Sequence, residues 1–382
     1  MWLTNLRLPG QKDSRSLHIR DGKIIALSPS TPQNPTLDFE GALVFPGLIN
    51  SHDHLDFNLF PALANTRYHN YREWGRDIHQ KNKTEINDIL KIPQPLRTQW
   101  GIYKNLLNGF TTVVNHGEWL DTKDAPITVF QQCHNLHSIG FERNWRWKLN
   151  RPTKTKWPFV LHVGEGTDLT AHQEITQLIR WNLFRRPLIG IHGVAMTEDQ
   201  APHFQALIWC PASNYFLLGQ TAPIGKLKSH LPILFGTDST LTGPWDCWSQ
   251  IRLARQEQAL TDQELLQSLT TNPAATWGLT DRAQLEKGKL ADLVIARPRS
   301  NTNSWDDFYN LSPADLLLVM SEGKVVLFDP SLKDTLTRTG LVSNNFHQAG
   351  PNGKYVPGDI NGLMKDIRSY YPGVQFPLQT SG

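Results

Sequence analysis

Cysteine is scarce: Cys133, Cys210 and Cys247 are the only three in 382 residues. Odd in number and far apart, they exclude a disulfide framework and a cysteine-based zinc knuckle. Long apolar runs are also missing, since none approaches the roughly 18 residues a membrane helix needs. The opening Met1-Trp2-Leu3-Thr4-Asn5-Leu6-Arg7 lacks the charged and apolar regions of a signal peptide. Nor is one sign of charge in excess. Lys and Arg total 38 against 35 Asp and Glu, a net charge of +3. That balance speaks against a nucleic-acid partner and against a polybasic membrane binder. His-Glu-x-x-His, Gly-x-Ser-x-Gly and P-loop motifs are absent as well. A cytoplasmic globular protein is the expectation.

What is present is a core-forming composition, 39% hydrophobic and 19% charged, enough for one large barrel with an appendage. The chain opens with a hairpin, Leu17–Arg20 and Lys23–Leu27 flanking Asp21-Gly22, the pair a primed turn prefers. A polar stretch, Ser28 to Pro35, follows. From Ala42 to about residue 260, apolar strands alternate with helical stretches. The strands are Thr111–Asn115, Phe159–Val163, Leu188–His192, Ala206–Cys210 and Ile233–Gly236; the helices include Thr98–Leu107, Leu169–Phe184 and Asp246–Gln258. Strands apolar on both faces suit a parallel sheet, most simply a (β/α)8 TIM-like barrel. After residue 285 strands return, at Asp292–Ala296, Leu316–Met320 and Gly323–Leu327. Both termini are therefore expected to build one small β-sandwich domain. The expected division is 1–45 and 285–345 for that domain, 46–284 for the barrel, and 346–382 for a tail. The tail should dock through a short helix near Gly362–Tyr370, with Asp359 at its start and Leu363, Met364 and Ile367 facing inward.

Polar ligand-type residues recur at the carboxyl ends of these strands: His52 and His54, His116, His162, His192 and Asp238. In a barrel those ends converge on one face, where active sites sit. Imidazole and carboxylate are first-choice ligands for zinc and similar ions. Joint placement favours His52, His54, His162 and Asp238 as metal ligands over ordinary packed histidines. Glu165, three residues beyond His162, lies where a carboxylate would move protons for water activated at a metal. His116-Gly117-Glu118 matches half of the small zinc nucleoside deaminase motif, but the required Pro-Cys-x-x-Cys is missing and that class is excluded.

In this order the motifs resemble the amidohydrolase superfamily, and within it the cytosine deaminase-like and chlorohydrolase-type branch. Phe45–Leu55 looks like the first-strand signature; His162-x-x-Glu165, His192-Gly193 and Gly236–Ser239 look like the fifth, sixth and eighth strands. Cys210–Asn214 looks like the seventh, and Asn272–Ala275 with Leu285–Val294 like the run into the β domain. The resemblance implies one divalent ion, zinc first and iron second, held by His52, His54, His162 and Asp238. It implies Glu165 as proton carrier and His192 as hydrogen-bond partner of the attacking water or the developing oxyanion. Hydrolytic removal of an amino group from an N-heterocycle is the implied reaction, with a small heterocycle as the partner molecule. Opening of a cyclic amide or imidazolone, or displacement of a halide, would use the same residues. A non-catalytic barrel kept for binding would need none of them.

Two departures from the family pattern stand out. His116 to His162 spans 46 residues, about half of what strands two to five need at the usual repeat. With Ser138–Phe141 read as strand three, a unit near strands three and four should be missing or shortened. That opens one side of the pocket or leaves it to a partner chain, as in a homodimer. Asp56 to Gln94 is a candidate lid, with Trp74 in Arg72-Glu73-Trp74 like the family's Glu-Trp. His116, Trp119 and Trp145 are the candidate substrate contacts, the tryptophans by stacking. Lys148, at the place of a modified lysine in binuclear relatives, reads as an ordinary side chain.

Overall fold

The computed structural model describes residues 1–28, 36–153, 155–300, 302–351 and 353–378, so most of the polar stretch Ser28 to Pro35 lies outside the described residues. Four strands open the chain: β1 (Trp2–Arg7), β2 (Ser14–Arg20), β3 (Lys23–Ser28) and β4 (Leu37–Pro46). The expected hairpin is β2 and β3, paired antiparallel. Its turn residues Asp21 and Gly22 have φ of 52° and 73°, the two left-handed positions a type I′ turn requires. Gly47 then passes the chain from the outer sheet into the parallel strands. A Cβ there would collide with the Thr111 side chain, so the close approach demands glycine.

Eight parallel strand segments follow: β5 (Leu48–Asp53), β6 (Phe110–Asn115), β7 (Thr128–Phe130), β8 (His134–Ser138), β9 (Phe159–Val163), β10 (Leu188–His192), β11 (Ala206–Trp209) and β12 (Ile233–Phe235). They form two arcs, β5-β6-β7 and β12-β11-β10-β9-β8. Among the described residues no ladder joins the arcs into one ring. At one seam the backbone N–H groups of Thr237 and Asp238 donate to His52 O at 3.1 and 3.0 Å. At the other, β7 hands the chain to β8 through residues 131–133 alone, with no helix between. A full parallel crossover needs a dozen or more residues. The shortening expected near strands three and four therefore sits at this step. Strand three is not Ser138–Phe141: β8 ends at Ser138, and Gly140 turns back to donate its N–H to Tyr71 Oη at 2.8 Å.

The helices that matter for the site are α1 (Tyr71–Lys81), α2 (Lys83–Leu90), α3 (Gln94–Leu107), α4 (Trp145–Asn150), α5 (Leu169–Trp181) and α6 (Pro211–Leu218). Asn70 and Asp168 cap α1 and α5, their side chains accepting from backbone N–H groups of the first turn. α5 stops at Trp181, short of the expected Phe184. Val114, Val160, Ile189, Ile191, Ile208 and Leu234 form one buried cluster between the strands. His162 lies two residues on from Val160, hence on the same face of β9. That apolar layer is the floor under the site.

The chain closes with β13 (Leu293–Ala296), β14 (Leu316–Ser321), β15 (Lys324–Phe328), β16 (Phe346–Gln348) and β17 (Tyr355–Pro357). Both ends of the chain thus enter one nine-stranded sheet, ordered β16-β17-β15-β14-β13-β4-β1-β2-β3. The two ends meet where β13 pairs antiparallel with β4. Leu3, Leu17, Phe39, Leu293, Leu318 and Phe328 belong to its separate core. The tail adds two strands that were not foreseen, each three residues long and so too short to show a pattern. Its helix is as expected: Ile360–Tyr370 starts at Asp359, which accepts from Gly362 N, and buries Leu363, Met364 and Ile367. No described helix is long and apolar enough to cross a membrane.

Candidate functional site

The strand-end residues gather. His52 ends β5 with His54 just beyond it, His162 is in β9, His192 ends β10, and Asp238 follows β12. Ligand-type atoms of His52, His54 and Asp238 lie within 4.8 Å of one another, as do those of His52, His162 and His192. Asp238 Oδ1 is 3.6 Å from His52 Nε2 and 3.8 Å from His54 Nε2. The His54 and His162 rings are parallel at 5.5 Å. Backbone strain accompanies this convergence: His192 and Asp238 hold φ of 72° and 55°, left-handed values that side-chain-bearing residues seldom adopt without compensation.

Neighbours fix the direction of each ring. His162 Nδ1 lies 2.7 Å from His137 O; a carbonyl only accepts, so Nδ1 carries the proton and Nε2 presents a lone pair. His192 Nδ1 lies 2.8 Å from Asn214 Oδ1. The Asn214 amide is itself oriented by donating to Thr221 Oγ1 at 3.1 Å. His192 Nε2 therefore points at Glu165, whose Oε1 is 3.6 Å away. Ser213 and Thr242 both donate to Asp238 Oδ2, at 2.9 and 2.8 Å, leaving Oδ1 toward the histidines.

Protonation follows from burial. It lowers His54 to about 3 and His192 to about 4. It also takes His116 and His162 well below the ordinary range, with neighbouring histidines adding to the effect. Burial opposes charge on Asp238, yet His52, then His54 and His192, hold it well below the usual carboxylate range. Glu165 goes the other way. Burial first, then the charges of Asp238 and Glu174, push it well above an ordinary glutamate. Burial thus favours the neutral form of His54, His116, His162 and His192, and the acid form of Glu165, around a carboxylate at Asp238. Both ring nitrogens of fully buried His52 lack any hydrogen-bond partner. Two orphaned polar atoms in a dry site cost several kcal/mol, and a bound cation removes that cost. The donor set fits a divalent metal ion.

Over the cluster opens a cavity of about 680 Å³, bounded by α1 and α2 and reaching down to His54, His162, Glu165, His192 and Asp238. The stretch after strand one is therefore a roof. It is anchored beside the acid: Tyr71 N donates to Glu165 O at 3.0 Å, and Thr167 N to His69 O at 2.7 Å. Trp74 lines the cavity and donates Nε1–H to Leu63 O at 2.7 Å.

The other expected contacts divide. His116 is buried against the clustered histidines, its ring 4.8 Å from that of His162, with Nδ1 unpartnered. Trp119 and Trp145 do not reach the cavity, which corrects the stacking role expected of them. Trp119 is 69% exposed and lines a separate groove; Trp145 is buried in the main core of α4. Stacking surfaces come from Phe57, whose ring lies parallel to His54 at 5.3 Å, and from Trp74. Lys148 pairs with Glu142 at 2.7 Å, as an ordinary side chain.

Sequence reading missed what lies behind the ligands. Asp53, between His52 and His54, turns away toward α3. Its Oδ2 accepts from Asn105 Nδ2 at 2.8 Å and from Lys104 Nζ at 3.2 Å, and its Oδ1 from Asn58 at 2.7 Å. Lys104 is fully buried and also reaches Thr237 Oγ1 and Asp238 O, each at 3.3 Å. A signal existed: Lys104 follows Trp100 by four and precedes Leu107 by three, on the buried face of α3. His137, passed over as an ordinary histidine, orients His162 and lines the cavity.

Residues 138–327 match the amidohydrolase family, so the resemblance read from the sequence holds. The chain is similar to the 5-methylthioadenosine/S-adenosylhomocysteine deaminase of Pyrococcus furiosus, 23% identical over 81% of this chain and 90% of that one. Among solved structures it is similar to a zinc-complexed atrazine chlorohydrolase from Arthrobacter aurescens TC1, with a TM-score of 0.71 and 16% identity over 97% of this chain and 99% of that one. A zinc-bound adenosine deaminase from Xanthomonas campestris gives 0.68 and 17%, over 97% of each chain. At those identities the structures attest the fold alone.

Proposed function

We propose that the chain is a metal-dependent hydrolase that removes an amino group from an N-heterocycle and releases ammonia. One observation carries this reading: His54, His162, His192, Asp238 and Glu165 meet at the bottom of a single cavity, with His52 among them and burial favouring the acid form of Glu165. His52, His54, His162 and Asp238 would hold the ion, zinc before iron. When bound, such an ion acts as a Lewis acid and lowers the pKa of water to about 7.

The protein's own groups do the rest. Water adds to the ring carbon, a C–O bond forms and the C–N bond breaks; one of water's protons leaves with the amino group as ammonia, and a proton is gained by the ring of the oxo product. Glu165, whose acid form burial favours, first gives its proton to the ring nitrogen. Asp238 takes the attacking water's first proton and passes it to the leaving amino group, and the second water proton restores Glu165 as the carbonyl forms. His192, aimed by Asn214, hydrogen-bonds the oxygen as charge develops on it. His116 is proposed to contact the reacting ring from the β6 side. The relatives named as deaminases support the substrate class. The site is proposed to sit in a distorted (β/α)8 barrel spanning residues 46–284. A β-sandwich-like domain from 1–45 and 285–345, and the tail 346–382, would flank it, in a cytoplasmic protein.

The test is an ammonia-release screen of the zinc-loaded chain over aminated purines, pyrimidines, pterins and triazines, beside cyclic amides and imidazolones. Turnover of an aminated ring, lost in Glu165→Gln, supports the assignment; ring opening of the amides alone overturns it.

A further inference from the structure

The cavity walls are chemically one-sided. Phe57, Phe60, Trp74, Ile78, Ile86 and Leu241 line the space between the ligand cluster and the mouth. Among the described residues the only carboxylates lining it are Glu165 and Asp238, both at the bottom with the clustered histidines. The acidic residues of the roof are turned elsewhere. Glu73 Oε2 holds His69, accepting from its backbone N at 3.0 Å and lying 3.1 Å from its Nδ1. Asp77 is paired with Lys81 and accepts from Tyr68 Oη, each at 2.6 Å. Arg76, His79 and Gln80 stand at the rim. Two large apolar side chains also border this space while remaining half in water: Leu90, 50% exposed, and Phe141, 45% exposed.

From these walls we infer that the substrate is an aminated heterocycle carrying an uncharged, apolar substituent, such as an alkyl chain, where a nucleoside carries its sugar. The inference rests on the aminohydrolase reading for the reacting end and deepens it for the other end. Of the polar residues in the lining, Tyr71 Oη lies 3.2 Å from Glu174 and Thr242 Oγ1 donates to Asp238 Oδ2, while His137 and Ser239 sit at the cluster end. With the reacting ring on the cluster, what extends from it toward the mouth lies mostly among aliphatic and aromatic side chains. A sugar diol there would surrender its water and meet no carboxylate to accept its hydrogen bonds, a costly exchange. A cationic tail would meet no counter-charge and would face Arg76. An alkyl chain loses nothing and covers Leu90 and Phe141 as well. The volume agrees: about 680 Å³ falls in the range of sites that enclose whole drug-sized molecules of about 300–1,000 Å³.

The experiment uses the full zinc-loaded chain and two ring families, 6-aminopurines and amino-triazines, each bearing methyl, propyl, hexyl or ribosyl at one ring position. Binding is read by quenching of tryptophan fluorescence and turnover by ammonia release. Affinity is expected to rise roughly threefold to fourfold per buried methylene, with the ribosyl compound at least tenfold weaker than the propyl one. Leu90→Asp, a change at the rim, should weaken hexyl binding several-fold more than methyl binding. A flat alkyl series, no measurable binding, or ribosyl compounds bound as tightly as propyl ones would overturn the inference. If the ribosyl compounds are also deaminated, the aminohydrolase reading survives that loss. Alkyl increments without ammonia from any compound would do the reverse, sinking the aminohydrolase reading and leaving the apolar channel standing.

Discussion

Replacing Lys104 with methionine tests how the ligand cage is held. Methionine keeps the apolar stem and removes only the charge. Lys104 is fully buried, and its Nζ lies 3.2 Å from Asp53 Oδ2 and 3.3 Å from both Thr237 Oγ1 and Asp238 O. Removing one partner of a buried pair costs about 3–5 kcal/mol, because the other charge stays in the dry interior. Asp53 would retain Asn105 at 2.8 Å, Asn58 at 2.7 Å and Asn50 at 3.2 Å. Those donors put Lys104→Met near the lower bound, about 3 kcal/mol. Adding Asp53→Asn removes the stranded charge, so the double variant should recover part of the loss. Denaturant midpoints of the metal-free proteins at neutral pH measure both. Because Asp53 stands between His52 and His54, metal affinity should also fall by about 10–100-fold, as for other partners that orient ligands. A stability loss under about 1 kcal/mol, or a double variant worse than the single, would refute the reasoning.

Glu165→Gln keeps the shape of the cavity floor and removes the proton carrier; kcat should drop about 10²–10⁴-fold with metal content unchanged, and an unaltered rate would exclude Glu165 from proton transfer. Ser213→Ala with Thr242→Val strips both donors from Asp238 Oδ2, and zinc affinity measured by chelator competition should weaken about 10–100-fold. Asp292 is a pH test remote from the ligands. Burial raises it from 3.8 to about 6, a rise that the Arg282 charge only partly offsets. The unfolded carboxyl ionises first as pH rises, so this stability is present below pH 3.8 and lost through pH 6, about 3 kcal/mol in all. The stability difference between the native chain and Asp292→Asn should therefore shift by most of that amount, about 2.4 kcal/mol, in the variant's favour from pH 4 to 7. A difference independent of pH would show that Asp292 is ionised throughout.

The clustered strand-end residues were legible because each lies at or just beyond an apolar strand, and β9, β10 and β12 lie within a residue of where the pattern put them. Their partners were not. Ser213, Asn214 and Thr242 act through hydrogen bonds made across the fold, which no local pattern records. β7, β16 and β17 are three residues each, below the length at which alternation can be seen. Trp119 and Trp145 were expected at the substrate because they follow strands two and three. Chain order alone does not say whether a side chain turns into the cavity, and here the aromatic lining comes instead from Phe57 and Trp74 of the roof.

Anomalous diffraction at the zinc edge from crystals of the zinc-loaded chain tests the central claim most directly. The account predicts one peak, with His52, His54, His162 and Asp238 at about 2.0–2.2 Å and His192 outside the coordination sphere. A peak ligated by His192 in place of His54, or no peak between β5, β9 and the residue after β12, would contradict it.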